Sequence, residues 1–237
     1  VARLDDGDVA VNLTSFTIAP LNEKGRVLHF GVAANHMKPE VGKIATSGAD
    51  LPDRLDAARV VKLDSRAETH PLRAKFLSTG DMKYVDSYDQ IGGELAGVFG
   101  PVSFQAEYQQ TKVNRADTTI VAVRDHEFSG YYGQVSWLLT GETRPYSSSE
   151  GEFGRVIPKG RFGALELGLR YSTMDLNDIT AVDAIKGGSA ENLTLGLTWF
   201  MNANHKLMVN VTQVDNDEYA KPGKDWAPLP TGTGTTL

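Results

Sequence analysis

The chain has 237 residues, 30 acidic and 24 basic, giving a net charge of -6, and it contains no cysteine. That length holds one large β domain or one to two ordinary ones. The acidic balance argues against a nucleic-acid binder, and the missing cysteines exclude a disulfide framework or a thiolate metal site. No run approaches the ~20 apolar residues of a membrane-spanning helix. Hydropathy does not exclude a β-barrel, whose strands alternate lipid-facing and lumen-facing residues and average to near neutral. The chain starts at Val1 without Met or an apolar leader, as expected of a mature or internal segment.

In chain order, residues 9–19 are β-rich with imperfect alternation, and the sequence PLNEKG at 20–25 supplies a turn. From Arg26 the period is two, with Leu28, Phe30, Val32 and Ala34 on one face and His29, Gly31, Ala33 and Asn35 on the other. Alternation then fails from His36 to Met82, a length at which a loop is normally functional or disordered. Arg54, Arg59, Lys62, Arg66, Arg73 and Lys75 fall in this stretch with only Asp56, Asp64 and Glu68 as acids between them. One reading is a solvated surface loop of mixed charge. The other is a basic loop, residues 38–82, folded into a channel where low-dielectric walls focus its field on anions.

Strands resume near Lys83, with Ile91, Leu95 and Phe99 opposite Gln90, Glu94 and Ala96. Gly100-Pro101 turns the chain into Val102, Phe104, Ala106 and Tyr108, set against Ser103, Gln105, Glu107 and Gln109. A longer charged loop follows from Thr111 to His126. The next strand carries Tyr131, Val135, Trp137 and Leu139 against Tyr132, Gln134, Ser136 and Leu138, and runs into the polar turn GETRPYSSSEGEFGRVIP. Within that turn Glu150, Glu152 and Arg155 are either solvated or inserted into a pore mouth. Residues 164–175 place Leu165, Leu167, Leu169 and Tyr171 opposite Glu166, Gly168, Arg170 and Ser172. Residues 191–201 place Leu193, Leu195, Leu197 and Trp199 opposite Asn192, Thr194, Gly196 and Thr198; after a short turn, Leu207, Val209 and Val211 continue the pattern. Short turns thus alternate with long loops. Residues 218–237 are Pro- and Gly-rich and are expected to form a terminal loop ahead of a last strand that the sequence does not contain.

About eight antiparallel strands, each with one apolar face, fit either a soluble β-sandwich or a transmembrane β-barrel. The second faces are Gly, Ser, Thr, Gln, Asn and Glu rather than clusters of Lys and Glu, and aromatics recur near strand ends, which favours the barrel. Asp5-Asp6-Gly7-Asp8 lacks the downstream Glu of a Ca²⁺ loop and reads as an acidic turn. The five histidines are scattered without ligand spacing, so no metal and no cofactor is expected. No catalytic triad, phosphate loop or carboxylate pair can be placed, so enzyme activity is not expected.

The segments VFGPVSFQAEYQQ, FSGYYGQVSWLLTGETRPYSSSEGEFGRVIP, GALELGLRYSTMDLND and ENLTLGLTWFMNANHKLMVNV closely resemble the second half of the phosphate-selective porin O/P family. GRVLHFGVAAN and the stretch from SRAETH to STGDM are similar more loosely. The resemblance implies a 16-stranded antiparallel β-barrel of the bacterial outer membrane, of which about eight strands are visible here. It also implies a homotrimer set in lipid and lipopolysaccharide that passes small anions such as phosphate or polyphosphate. A non-conducting β-barrel or β-sandwich, or a general porin, is the alternative. Glu94, Glu107 and Glu166 face the lumen with Arg170 as the one clear base, so any anion preference is expected to come from Arg54, Arg59, Lys62, Arg66, Arg73 and Lys75 of the loop.

Overall fold

The computed structural model describes residues 9–39, 59–66, 75–116, 123–148, 150–179 and 183–220. Its long strands are β1 (Val9–Glu23), β2 (Arg26–Lys38), β5 (Val85–Phe99), β6 (Val102–Arg115), β7 (His126–Leu138), β10 (Ala164–Asp178), β11 (Ile185–Phe200) and β12 (Lys206–Asn216). Two short hairpins lie between them, β3 (Asp64–Arg66) with β4 (Lys75–Ser78) and β8 (Tyr146–Ser147) with β9 (Glu152–Phe153). The long strands form one antiparallel sheet in the order β1-β2-β5-β6-β7-β10-β11-β12, so each pairs with its neighbour in the chain. Among the described residues the sheet is an open wall, with β1 and β12 at its edges.

Register carries each face across the whole wall. Leu28 pairs with Gly97, Gly97 with Phe104, Phe104 with Val135, Val135 with Leu169, Leu169 with Leu195, and Leu195 with Val211. Because side chains alternate along each strand, this row puts the apolar residues of seven strands on one surface. Most of them are exposed there, including Phe30, Val135, Trp137, Leu169, Leu195 and Val211. Glycine has a packing role in that surface: a Cβ on Gly97 would come within 2.5 Å of the Phe104 ring, which covers it from the neighbouring strand. The imperfect alternation of residues 9–19 corresponds to two register shifts in β1, between Leu13 and Phe16 and between Ile18 and Leu21. Pro20 sits within the second, on an edge strand where a missing N–H is tolerated.

The strands outrun the alternation seen in the sequence, reaching 15 residues in β5 and 16 in β11. The reason lies at the long-loop end of the polar face, which there becomes apolar. Met37, Tyr88, Val113, Phe128 and Leu176 occupy inward positions on five strands and are buried together with Val61, Leu77 and Met82 from the 39–84 connection. Phe76 and Leu63 pack against the same cluster, as does Ala220 from the start of the terminal segment. The described part of the connection is therefore a packed element rather than a structureless loop. Main-chain bonds between Val61 and Met82 and from Thr79 to Leu63 extend the β3–β4 hairpin at its foot.

The 25-residue connection between β7 and β10 departs from the short-turn, long-loop alternation. It lies at the same end as the tight turns at Gly25 and Gly100, whose positive φ of 79° and 61° suits glycine, yet it is long and internally packed. Val156 is buried against Leu138 and Ala164, and Arg155 donates to the Ala203 carbonyl of the adjacent turn at 2.8 Å. Glu142 is buried and accepts from the Lys159 N–H at 3.2 Å and from the Thr140 hydroxyl. Burial alone would raise its pKa, but these bonds stabilise the ionised form and hold the carboxyl below its ordinary value of 4.5.

Two outcomes follow from this packing. Leu77→Ala removes a side chain that is 2% exposed and is expected to cost the hairpin about 2–5 kcal/mol. Limited proteolysis should then cut between residues 59 and 84 while the wall stays folded. A depressed carboxyl contributes stability above its unfolded value and loses it as pH falls through the folded one. Acid melting below about pH 4.5 should therefore be shallower in Glu142→Gln than in the parent, read from thermal unfolding in detergent.

Candidate functional site

The polar face of the wall is ordered by the same register. In one row His29 pairs with Ala96, Ala96 with Gln105, Gln105 with Gln134, Gln134 with Arg170, and Arg170 with Thr194. In the next row Glu94 pairs with Glu107, Glu107 with Tyr132, Tyr132 with Ser172, and Ser172 with Asn192. Glu94 and Glu107 thus stand directly opposite one another, a like-charge pair that is unfavourable unless each finds another partner.

Each does. Glu94 accepts from His29 Nε2 at 2.9 Å, lying over Gly31, where a Cβ would collide with its carboxylate. Glu107 accepts from Gln105 Nε2 at 3.0 Å and from the Tyr132 hydroxyl. The third wall acid, Glu166, pairs with Arg144 of the β7–β10 connection. That connection folds back over the polar face: the Tyr146 hydroxyl bonds His29 Nδ1, and Tyr146 also packs on Phe153, with ring centroids 6.0 Å apart. Burial, and behind it the Glu94 carboxylate, raises the Tyr146 pKa, so its hydroxyl stays protonated as a donor. Glu150 and Glu152 of this connection remain exposed.

The β3–β4 hairpin lies against the same face and lines with it a half-open cavity of about 590 Å³. Lys62, Arg66 and Lys75 line it from the hairpin, and Arg170, Glu107 and Tyr132 line it from the wall. Lys75 pairs with Asp64 of its own hairpin. Lys62 and Arg66 are exposed and form no ion pair among the described residues. Arg59 lies outside this group; it bonds Asp86 at 3.5 Å at the foot of the hairpin, where Lys38 meets the same carboxylate at 3.1 Å. Arg54 and Arg73 lie outside the described residues.

The structure therefore brings together three of the six loop bases with Arg170 and Glu107. Glu94 and Glu166 stand apart from that cavity, beneath the β7–β10 connection. Sequence reasoning missed the partners His29, Arg144 and Tyr146, and the wall residues Gln105, Tyr132 and Gln134. Alternation placed the wall residues on the polar face, but no sequence spacing announces a bond such as Tyr146 to His29, 117 residues apart. Among the described residues no three His, Asp or Glu side chains could hold a metal ion together. No helix among them is long and apolar enough to cross a membrane.

The family model of phosphate-selective porin O and P matches residues 9–233. Porin O of Pseudomonas aeruginosa is 29% identical over an alignment of 245 residues, covering 93% of this chain and 51% of that protein. An uncharacterized protein of Caulobacter vibrioides is 38% identical over 77 residues, 30% of this chain and 14% of its own length. The chain thus spans about half the length of Porin O. With its all-antiparallel wall, apolar outer surface and polar inner surface, the chain belongs to the phosphate-selective porin O and P family of transmembrane β-barrels, proteins of the Gram-negative outer membrane.

Proposed function

We propose that this chain forms part of the wall and the selective element of a passive diffusion channel for small anions, phosphate or polyphosphate among them. The observation that carries the reading is how the charged groups around the interior are held. All three wall glutamates are tied to a partner, while Lys62 and Arg66 are exposed toward the cavity that Arg170 also lines. A field set by cations in a narrow, low-dielectric passage concentrates anions ahead of cations. Lysine and arginine stay cationic at neutral pH, and arginine offers an oxyanion two parallel donors.

Conduction also requires that the ion leave. The cavity presents several partial sites, with Lys62, Arg66 and Lys75 on one side and Arg170 on the other. Lys75 is already paired with Asp64, and Arg170 donates to Gln134 at 3.1 Å. Several weak sites let an ion pass from one to the next without a deep trap. In this reading transport runs down the gradient. We further propose the homotrimer as the working assembly, with the apolar outer face against lipid, lipopolysaccharide and neighbouring subunits.

The natively extracted protein, placed in a planar bilayer under a salt gradient, should show an anion-selective reversal potential and a chloride current reduced by added phosphate. A cation-selective current, or none from folded protein, overturns the reading. Replacing Lys62, Arg66 and Lys75 together by Ala should lower the anion-to-cation permeability ratio about tenfold or more and leave heat-modifiable migration on gels intact. An unchanged ratio removes the hairpin from selectivity.

A further inference from the structure

Five side chains on the three adjacent strands β6, β7 and β10 form a closed circuit on the polar face. Arg170 donates from Nη1 to Gln134 Oε1 at 3.1 Å. Gln134 donates from Nε2 to Gln105 Oε1 at 3.3 Å, and Gln105 donates from Nε2 to Glu107 Oε1 at 3.0 Å. The circuit returns through Tyr132, whose hydroxyl donates to Glu107 while its ring carries the Arg170 guanidinium 3.7 Å above its centroid. Every amide in the chain accepts from the side of the cation and donates toward the carboxylate. Such a one-directional chain polarises itself, each bond strengthening the next.

We propose that Tyr132 is a positioning residue for ion selection, which holds Arg170 flat at the cavity wall and ties back the Glu107 carboxylate beside it. The inference rests on the anion-channel reading above and deepens it. Arg170 and Glu107 line the same cavity, so a carboxylate free to swing would cancel the guanidinium that faces the passing ion. Tyr132 separates the two roles with two parts of one side chain. The ring offers a cation–π face to Arg170, and the hydroxyl occupies the carboxylate of Glu107. Neither phenylalanine, which lacks the hydroxyl, nor leucine, which lacks both, can do this. The arrangement follows from register: Tyr132 pairs directly with Glu107 on β6, and Gln134, the next inward residue on its own strand, pairs with Arg170 on β10.

A double-mutant comparison in the full-length porin tests the assignment. Single-channel reversal potentials give the permeability ratio for Glu107→Gln in two backgrounds, the parent and Tyr132→Phe. With Tyr132 in place the carboxylate is already tied, so Glu107→Gln should change the ratio little. Tyr132→Phe alone should lower the anion preference about threefold, and adding Glu107→Gln should restore it. Tyr132→Leu should lower it further, because the platform beneath Arg170 is gone as well. An equal effect of Glu107→Gln in both backgrounds overturns the proposal, whichever ion the parent channel prefers. A cation-selective parent instead overturns the anion-channel reading and leaves the coupling to be judged on its own. Heat-modifiable migration of each variant shows that the comparison is made between folded barrels.

Discussion

In the hydrocarbon of a bilayer an N–H or C=O without a partner costs several kcal/mol, and no water is present to supply one. That cost governs the rest of this molecule. It requires each central strand to be paired along both edges, so the register cannot slip without exposing backbone, and a slip of one residue would turn every Leu and Trp of the outer face inward. The row from Leu28 through Gly97, Phe104, Val135, Leu169 and Leu195 to Val211 is the visible result. The polar rows behind it are fixed by the same pairing. Glu94, Glu107 and Tyr132 meet because their strands have no other register open to them.

The inner face is not uniform along its height. Toward the tight turns and the middle it is a hydrogen-bonded surface, whereas toward the long loops it closes into an apolar cluster around Val85, Val113 and Met82, each at most 1% exposed. A hairpin laid against the polar face needs something to hold it there, and a polar wall facing water cannot supply that. The wall changes its inward residues to Met37, Tyr88, Phe128 and Leu176 at the height where the hairpin docks, giving the hairpin a small hydrophobic core of its own. At the opposite end the β7–β10 connection is held by polar means instead, through Tyr146 on His29 and Arg144 on Glu166.

Much of this was legible in the sequence. The eight long strands, the division of each into an apolar and a polar face, and the membership of the family followed from β-rich composition, period-two alternation and the quoted segments. The strand ends were not legible, because alternation breaks wherever the inward face turns apolar, as at Val113 and Phe128. A pattern of apolar-out and polar-in has no term for an internal core. The 38–82 stretch read as a loop for the same reason, although Val61, Leu77 and Met82 are spaced as anchors once the partner surface is known. Of the basic residues assigned to it, Lys62, Arg66 and Lys75 line one cavity, while Arg59 serves the hairpin foot through Asp86. Composition alone could not distinguish those roles, because a salt bridge to a residue on another strand leaves no trace in spacing.

The wall glutamates show why counting charges misleads. Three acids against one base along the readable strands suggest a surface hostile to anions, and the net charge of -6 for the chain points the same way. What an ion meets is the charge left after pairing, weighted by how near it stands and how little water screens it. Glu166 is 11% exposed at its side chain and its charge is paired with Arg144, whereas Glu94 is bonded to His29 and Glu107 is held through one oxygen by the neutral donors Gln105 and Tyr132. At the cavity, Arg170 donates to Gln134 and lies over the Tyr132 ring. Acids on the wall can therefore serve as fasteners, as Glu166 does for Arg144 of the β7–β10 connection and Glu107 does for Gln105 and Tyr132. In the anion-channel reading proposed above, selectivity then depends on where each acid and base is held more than on the total charge.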